Sequence, residues 1–246
     1  MLRITHLTRL LASFLMMLSP VIHAQKQARW EAGGSFGFAG YLGDLNRSDL
    51  ISKEFNFAFH GFGRRYISDQ FAVKAGLTLS QISGSDLHYE ERKPRNFSMS
   101  APLAEASLML EWDAFDCDPS YYPHNRNGGF SPYFFAGVAA VYTKPRVNFQ
   151  ETTSQNPDVL KGIVRDENTH FSYFNVAIPL GFGMKYNLNR RWVVSVETTY
   201  RLTFTDYLDC VSFSGNPNKT DAYQTFTFTV ARRLGRAQYR SPRSTY

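Results

Sequence analysis

The side chains able to do chemistry in this chain are few, and most of them recur at alternate positions of apolar segments. Glu31, His60, Arg64, Lys74, Glu105, Glu111, Lys185, Glu197 and Arg201 fall on one face of that alternation. Four acids and four bases facing one another would form a salt-bridged network, and a histidine beside four carboxylates would serve as a hydrogen-bonded filler. The sharper reading of His60 is general acid–base work with a serine and an acid, as in some lipid-modifying enzymes, which needs all three within hydrogen-bond reach. Asp44, in Tyr41-Leu42-Gly43-Asp44-Leu45-Asn46, and Asp206 and Asp209, in Thr205-Asp206-Tyr207-Leu208-Asp209, are oxygen donors for calcium. Isolated loop acids more commonly make turns and hydrogen bonds. CxxC, HExxH, a phosphate-cradling loop and a dinucleotide glycine fingerprint are absent from the sequence, and no nucleophile elbow is read in it. The expectation is therefore no catalytic residue, no cofactor and no metal.

What must position these residues is legible from composition and period. The chain has 246 residues, 15% of them aromatic, with 27 basic and 21 acidic side chains and two cysteines. That composition excludes a disordered chain, a disulfide scaffold and a helical repeat. Residues 1–24 read as a signal peptide: Arg3 and Arg9 form the basic region, Leu10 to Leu18 the apolar region, and Ile22-His23-Ala24 the cleavage site. No cysteine follows it to carry a lipid anchor. Removing Arg3 and Arg9 lowers the net charge from +6 to +4, too mild for a nucleic-acid binder.

From residue 25 onward the period is two. Trp30, Ala32, Gly34, Phe36 and Phe38 alternate with Glu31, Ser35 and Gly37, and Phe55, Phe57 and Phe59 with Asn56, Ala58 and His60. Phe71 to Ser80, Ala104 to Trp112, Phe174 to Tyr186, Trp192 to Phe204 and Thr225 to Val230 repeat the pattern, although Pro102 weakens the start of the fourth strand. Pro132 to Thr143 is apolar on both faces and has no evident orientation. The count is eight strands. Ile67-Ser68-Asp69-Gln70 and Asn187-Leu188-Asn189-Arg190 are short turns, whereas Leu42 to Lys53, Gly84 to Arg95, Lys144 to His170 and Thr205 to Asp221 are longer and polar, all at the opposite end. This predicts an all-β fold: an eight-stranded antiparallel transmembrane β-barrel with short periplasmic turns and longer external loops, in the outer membrane. Asp113 to Ser131 is the exception, a long connection at the periplasmic end. Periodicity alone does not separate this barrel from a soluble one with an apolar ligand cavity. Trp30, Trp112, Trp192, Tyr186 and Tyr200 near strand ends suit interfacial girdles, and small residues on the charged face suit a filled, narrow lumen.

The barrel occupies residues 25–234, and 235–246 is a basic tail with Arg236, Arg240 and Arg243. The topology sends Cys117 and Cys210 to opposite ends, so an intramolecular disulfide is not expected, and each is a free thiol or a bridge to another chain.

Several segments together resemble the PorG-like outer-membrane barrel subunit of the type IX secretion system, which also serves gliding motility. They are Phe38 to Asn46, Arg95-Asn96-Phe97-Ser98 with Glu105 and Glu111, Ser131 to Val138, Ile178 to Tyr186, and Thr203 to Asp209. Cys210 departs from the acidic residue expected after the Tyr-Leu-Asp run. The resemblance implies a non-enzymatic component associated with the periplasmic ring of the PorK lipoprotein and PorN. The surfaces assigned to that ring are Cys117, Tyr121, Tyr122 and Arg126 in the long periplasmic connection, and Arg236, Arg240 and Arg243 in the tail. The alternatives are a lipid-modifying barrel enzyme and a small-ligand barrel.

Overall fold

A computed structural model of the chain describes residues 29–46, 54–68, 70–115, 130–189, 191–205, 208–211, 213–214 and 221–234. The signal segment, most of the connection after Asp113 and the basic tail, and with them Cys117, Tyr121, Tyr122, Arg126, Arg236, Arg240 and Arg243, lie outside the described residues.

The strands are β1 (Arg29–Leu42), β2 (Asn56–Tyr66), β3 (Phe71–Ser85), β4 (Ser98–Asp113), β5 (Phe130–Thr143), β6 (Arg146–Asn148), β7 (Phe174–Asn187), β8 (Trp192–Thr203) and β9 (Ala222–Leu234). All pairings are antiparallel, and β1 pairs with both β2 and β9, so the eight long strands close on themselves without a free edge. β6 is a short addition that pairs with β4 beyond the reach of β5, with Met99 opposite Val147. Ten residues or so of tilted strand cross a bilayer, roughly 9–11. Each barrel strand is long enough, from the 11 residues of β2 to the 16 of β4.

The alternation found in the sequence becomes an inside-out molecule. Phe57 is 70% exposed and Phe174 71%, whereas Lys74 and Glu111 are 0% exposed. In water such a belt of exposed Phe, Leu and Val would be an aggregation surface, and in hydrocarbon it is the solvated face. β5, which the sequence left unoriented, turns Tyr133, Phe135, Ala139 and Val141 inward and Phe134, Val138 and Tyr142 outward. Its inward rings need space in the neighbouring strand. Gly181 and Gly183 of β7 supply it, because a Cβ at Gly181 would meet the Phe135 ring at 2.4 Å and one at Gly183 the Tyr133 ring at 2.7 Å. Pro102 does not weaken β4. It points outward opposite Gln81, and the strand continues through it to Ser98.

The long connections depart from the expectation of polar loops. Lys144 to His170 contains β6 and a helix, α1 (Pro157–Glu167), started by Asn156, whose side chain accepts a hydrogen bond from the Asp158 N–H. Two 3₁₀ turns follow β3, at Asp86–His88 and Glu90–Arg92. Together these segments cover the barrel mouth. Tyr41, Leu45, Ile82, Phe97, Met99, Phe149, Ile163, Leu208, Val211 and Tyr223 form one buried apolar cluster there.

Candidate functional site

The structure turns all nine of the sequence-predicted lumen residues, eight charged side chains and His60, into the barrel interior and connects most of them. Glu111 is the hub. Its carboxylate lies 2.6 Å from Arg64 Nε, 3.1 Å from Lys185 Nζ and 3.6 Å from Lys74 Nζ. Arg64 also donates to Glu31 Oε2 at 2.8 Å, and Lys74 to Glu197 Oε2 at 2.7 Å. Nearer the capped end, Arg201 pairs with Glu105, whose Oε2 also accepts from the Tyr223 hydroxyl at 2.6 Å.

Two further charges belong to this network. Asp113, assigned from sequence to the connection, is the last residue of β4 and accepts from Lys185 Nζ at 2.8 Å. Arg233, beyond the expected end of the last strand, lies 3.0 Å from Glu31. Three tyrosines add hydroxyls: Tyr66 toward Glu31, Tyr133 to Glu197 at 2.6 Å, and Tyr223 to Glu105. Ions buried in this way cost several kcal/mol apiece unless each is paired and hydrogen-bonded. Lys74 and Lys185 also lie over aromatic faces, 4.6 Å from the Phe62 ring centroid and 4.0 Å from that of Tyr133.

His60 stands apart from the ion pairs. Its Nδ1 is 2.9 Å from Thr78 Oγ1, and Thr78 in turn donates to Glu105 Oε1 at 3.4 Å. Its ring lies over Gly76, where a Cβ would meet Nε2 at 2.8 Å. The hydroxyl partner is thus a threonine, inside the lumen.

The loop aspartates make hydrogen bonds within the cap. The Tyr41 hydroxyl is 2.6 Å from Asp209 Oδ2 and 2.6 Å from Asp221 Oδ1, and its oxygen accepts the Asp44 N–H at 2.8 Å. A phenol has one hydrogen, so the second carboxyl contact is completed by a carboxyl proton. Burial, with the Asp221 carboxylate alongside, holds Asp209 well above the usual carboxylate range, in keeping with that shared proton. Asp206 lies outside the described residues. Cys210 is a free thiol with a backbone φ of 62°, its Sγ 3.7 Å from the Pro145 carbonyl oxygen. Burial, with Asp209, Asp166 and Asp221 nearby, pushes it up to about 12, so it stays protonated and unreactive at neutral pH.

Three segments that carry the family resemblance meet in this cap. Arg95 clasps Asp86 at 2.6 and 2.7 Å and reaches the Asp44 carbonyl oxygen at 3.2 Å, while Asn46 donates to the Tyr41 carbonyl oxygen at 3.0 Å. Tyr41 joins them to Asp209.

At the opposite end the outer surface carries Trp30, Trp112, Trp192 and Tyr186, all 41–46% exposed and all near the ends of their strands, Tyr186 and Trp192 beside a short turn and Trp112 before the long connection. An apolar outer belt, an aromatic girdle and a charged, filled lumen define an outer-membrane β-barrel. Within that class the chain belongs to the family described as "Domain of unknown function (DUF6089)", which matches residues 8–233. No curated protein matches the chain in sequence. Among solved structures it is similar to Ail, the attachment invasion locus protein of Yersinia pestis. That match has 9% identity and a TM-score of 0.44, covering 84% of this chain and 99% of that one. The N-terminal β-barrel domain of Pseudomonas aeruginosa OprF matches at 11% identity and a TM-score of 0.42, covering 85% and 100%. Neisserial surface protein A matches at 11% identity and a TM-score of 0.40, covering 84% and 97%.

Proposed function

We propose that this protein is a non-enzymatic structural subunit: the outer-membrane component of the type IX protein secretion machinery, anchoring the periplasmic ring of PorK and PorN to the membrane. The observation that carries the anchoring role is the lumen. A ladder of buried ion pairs from Arg233 and Glu31 through Glu111 to Lys74 and Glu197 fills it, which suits a rigid post better than a conduit. The particular machine is supported by the PorG-like segments, three of which meet in the cap. A lipid-modifying enzyme would need His60 hydrogen-bonded to a serine beside an acid at a lipid-facing opening; Ser35 stands opposite His60 in the β1–β2 register, but its hydroxyl bonds Thr229 and His60 bonds Thr78. A small-ligand barrel would need an apolar cavity where the ion pairs stand.

The test is mild detergent extraction of a tagged chain from its native envelope, followed by mass identification of what accompanies it. The expected result is a large assembly containing a lipoprotein and its ring partner. Trimming residues 116–129 should abolish that association and protein secretion while the barrel still inserts. A solitary barrel from the intact chain would overturn the proposal.

A further inference from the structure

The girdle at the short-turn end is not uniform around the barrel. On the wall of β3, β4, β5 and β7 it consists of Phe71, Trp112, Phe134 and Tyr186, with no outward charge among them. On the wall of β8, β9, β1 and β2 two arginines join it. Arg65 is opposite Trp30 in the β1–β2 register, and its guanidinium lies 5.5 Å from the Trp30 ring centroid. Arg232 is opposite Trp192 in the β8–β9 register, 6.0 Å from that ring. Both side chains are exposed, and among the described residues neither meets a carboxylate. Two guanidinium groups held against tryptophans at the membrane–water boundary, with no carboxylate partner among the described residues, are placed to take anions from the bilayer.

The wall beside them, toward the membrane centre, is bare. Ala32 pairs with Gly63 and Gly34 with Gly61, all facing outward. A Cβ placed on Gly61 or Gly63 would touch nothing within 4 Å, so that surface is open to lipid. Past β2 it runs onto the β3–β5 wall as a shallow apolar groove of about 800 Å³ that takes in Gly61, Gly63, Ala75, Leu77, Leu108 and Val138. Large side chains bound it: Phe36 and Phe59 rise on the capped side, 58% and 60% exposed.

We propose that this wall binds one anionic phospholipid of the leaflet at the short-turn end. Arg65 and Arg232 hold the phosphate-bearing headgroup, Trp30 and Trp192 flank it, and an acyl chain lies over Ala32, Gly34, Gly61 and Gly63. The phosphate supplies the charge complement that the described residues do not, and the missing side chains let a chain lie close to the backbone. The proposal depends on the barrel spanning a bilayer and not on any secretion role, so it stands or falls separately from the ring-anchoring function.

The three tryptophans of the chain make the test direct, since two report on this wall and the third on the other. A Trp112→Phe chain is refolded into phosphatidylcholine vesicles containing a small fraction of either brominated phosphatidylglycerol or brominated phosphatidylcholine. Quenching then gives the relative association of the two lipids. With about 1 kcal/mol expected per arginine near the surface, the two together should favour phosphatidylglycerol by about thirtyfold at Trp30 and Trp192. A Trp30→Phe/Trp192→Phe chain, reporting through Trp112, should show no such preference. Arg65→Gln/Arg232→Gln in the first background should remove it. Equal quenching by the two lipids at Trp30 and Trp192, the same preference at Trp112, or a preference that survives the double arginine substitution would each overturn the site. Should the arginine variant fail to insert, the comparison of the two walls in the arginine-intact chains decides the matter.

Discussion

Glu111 shows how one residue can hold a barrel lumen together. Three cations share its two oxygens, and each has a further acidic partner: Glu31 and, at 3.9 Å, Glu197 for Arg64, Glu197 for Lys74 and Asp113 for Lys185. Replacing Glu111 by alanine leaves three buried positive charges facing three negative ones with poorer geometry. Removing one member of a buried pair costs about 3–5 kcal/mol, and the second partners place this case toward the lower figure. Urea unfolding of the barrel in lipid should therefore give a clearly lower midpoint for Glu111→Ala, with the strand content of the folded state unchanged. An unchanged midpoint would mean that lumen water relieves the charges. Reading period two was enough to find Glu111, because a strand sends alternate residues to one face. It did not find Asp113 or Arg233, which sit where strand limits are set by pairing rather than by local sequence. Nor did it find Tyr66, Tyr133 and Tyr223, whose rings read as apolar although their hydroxyls complete the network.

At the scale of elements the cap is the part with a pH response. Asp209 is held above its ordinary value, so the folded cap binds a proton that the unfolded chain would release. Its stabilising contribution is complete below the unfolded aspartate value, about 3.9, and is lost as pH rises through the raised folded value. Protease resistance of the segments around Leu208 to Val211 should fall from mildly acidic to alkaline pH. Asp209→Asn, which keeps a hydrogen-bonding group without the charge, should flatten that dependence. A cap equally resistant across the range would contradict the shared proton. The sequence described these segments only as long and polar. Their core depends on partners far apart in the chain, Tyr41 with Asp209 and Arg95 with Asp44, and neither composition nor period encodes such meetings.

At the scale of the whole molecule, closure and filling decide what the barrel transmits. Eight strands enclose little more than their own side chains, and here those side chains are ion-paired arginines, lysines and glutamates with tyrosine and phenylalanine rings between them. Reconstituted into planar bilayers, the protein should show no steady unit conductance at moderate voltage. A stable open level would make it a channel and remove the main support for an anchoring role.

The sequence by itself determined the strand number, the alternation, the nine lumen positions, eight of them charged, and the short-turn end, because each follows from local period and turn chemistry. It did not decide the facing of β5, where both faces are apolar and only the fit of Tyr133 and Phe135 against Gly183 and Gly181 distinguishes in from out. The tertiary structure alone closed the sheet, joined Asp113 and Arg233 to the ion pairs and folded the loops into a cap. It also set Arg65 and Arg232 on a single wall. These features depend on register between strands distant in sequence, and register is fixed only when the whole sheet pairs.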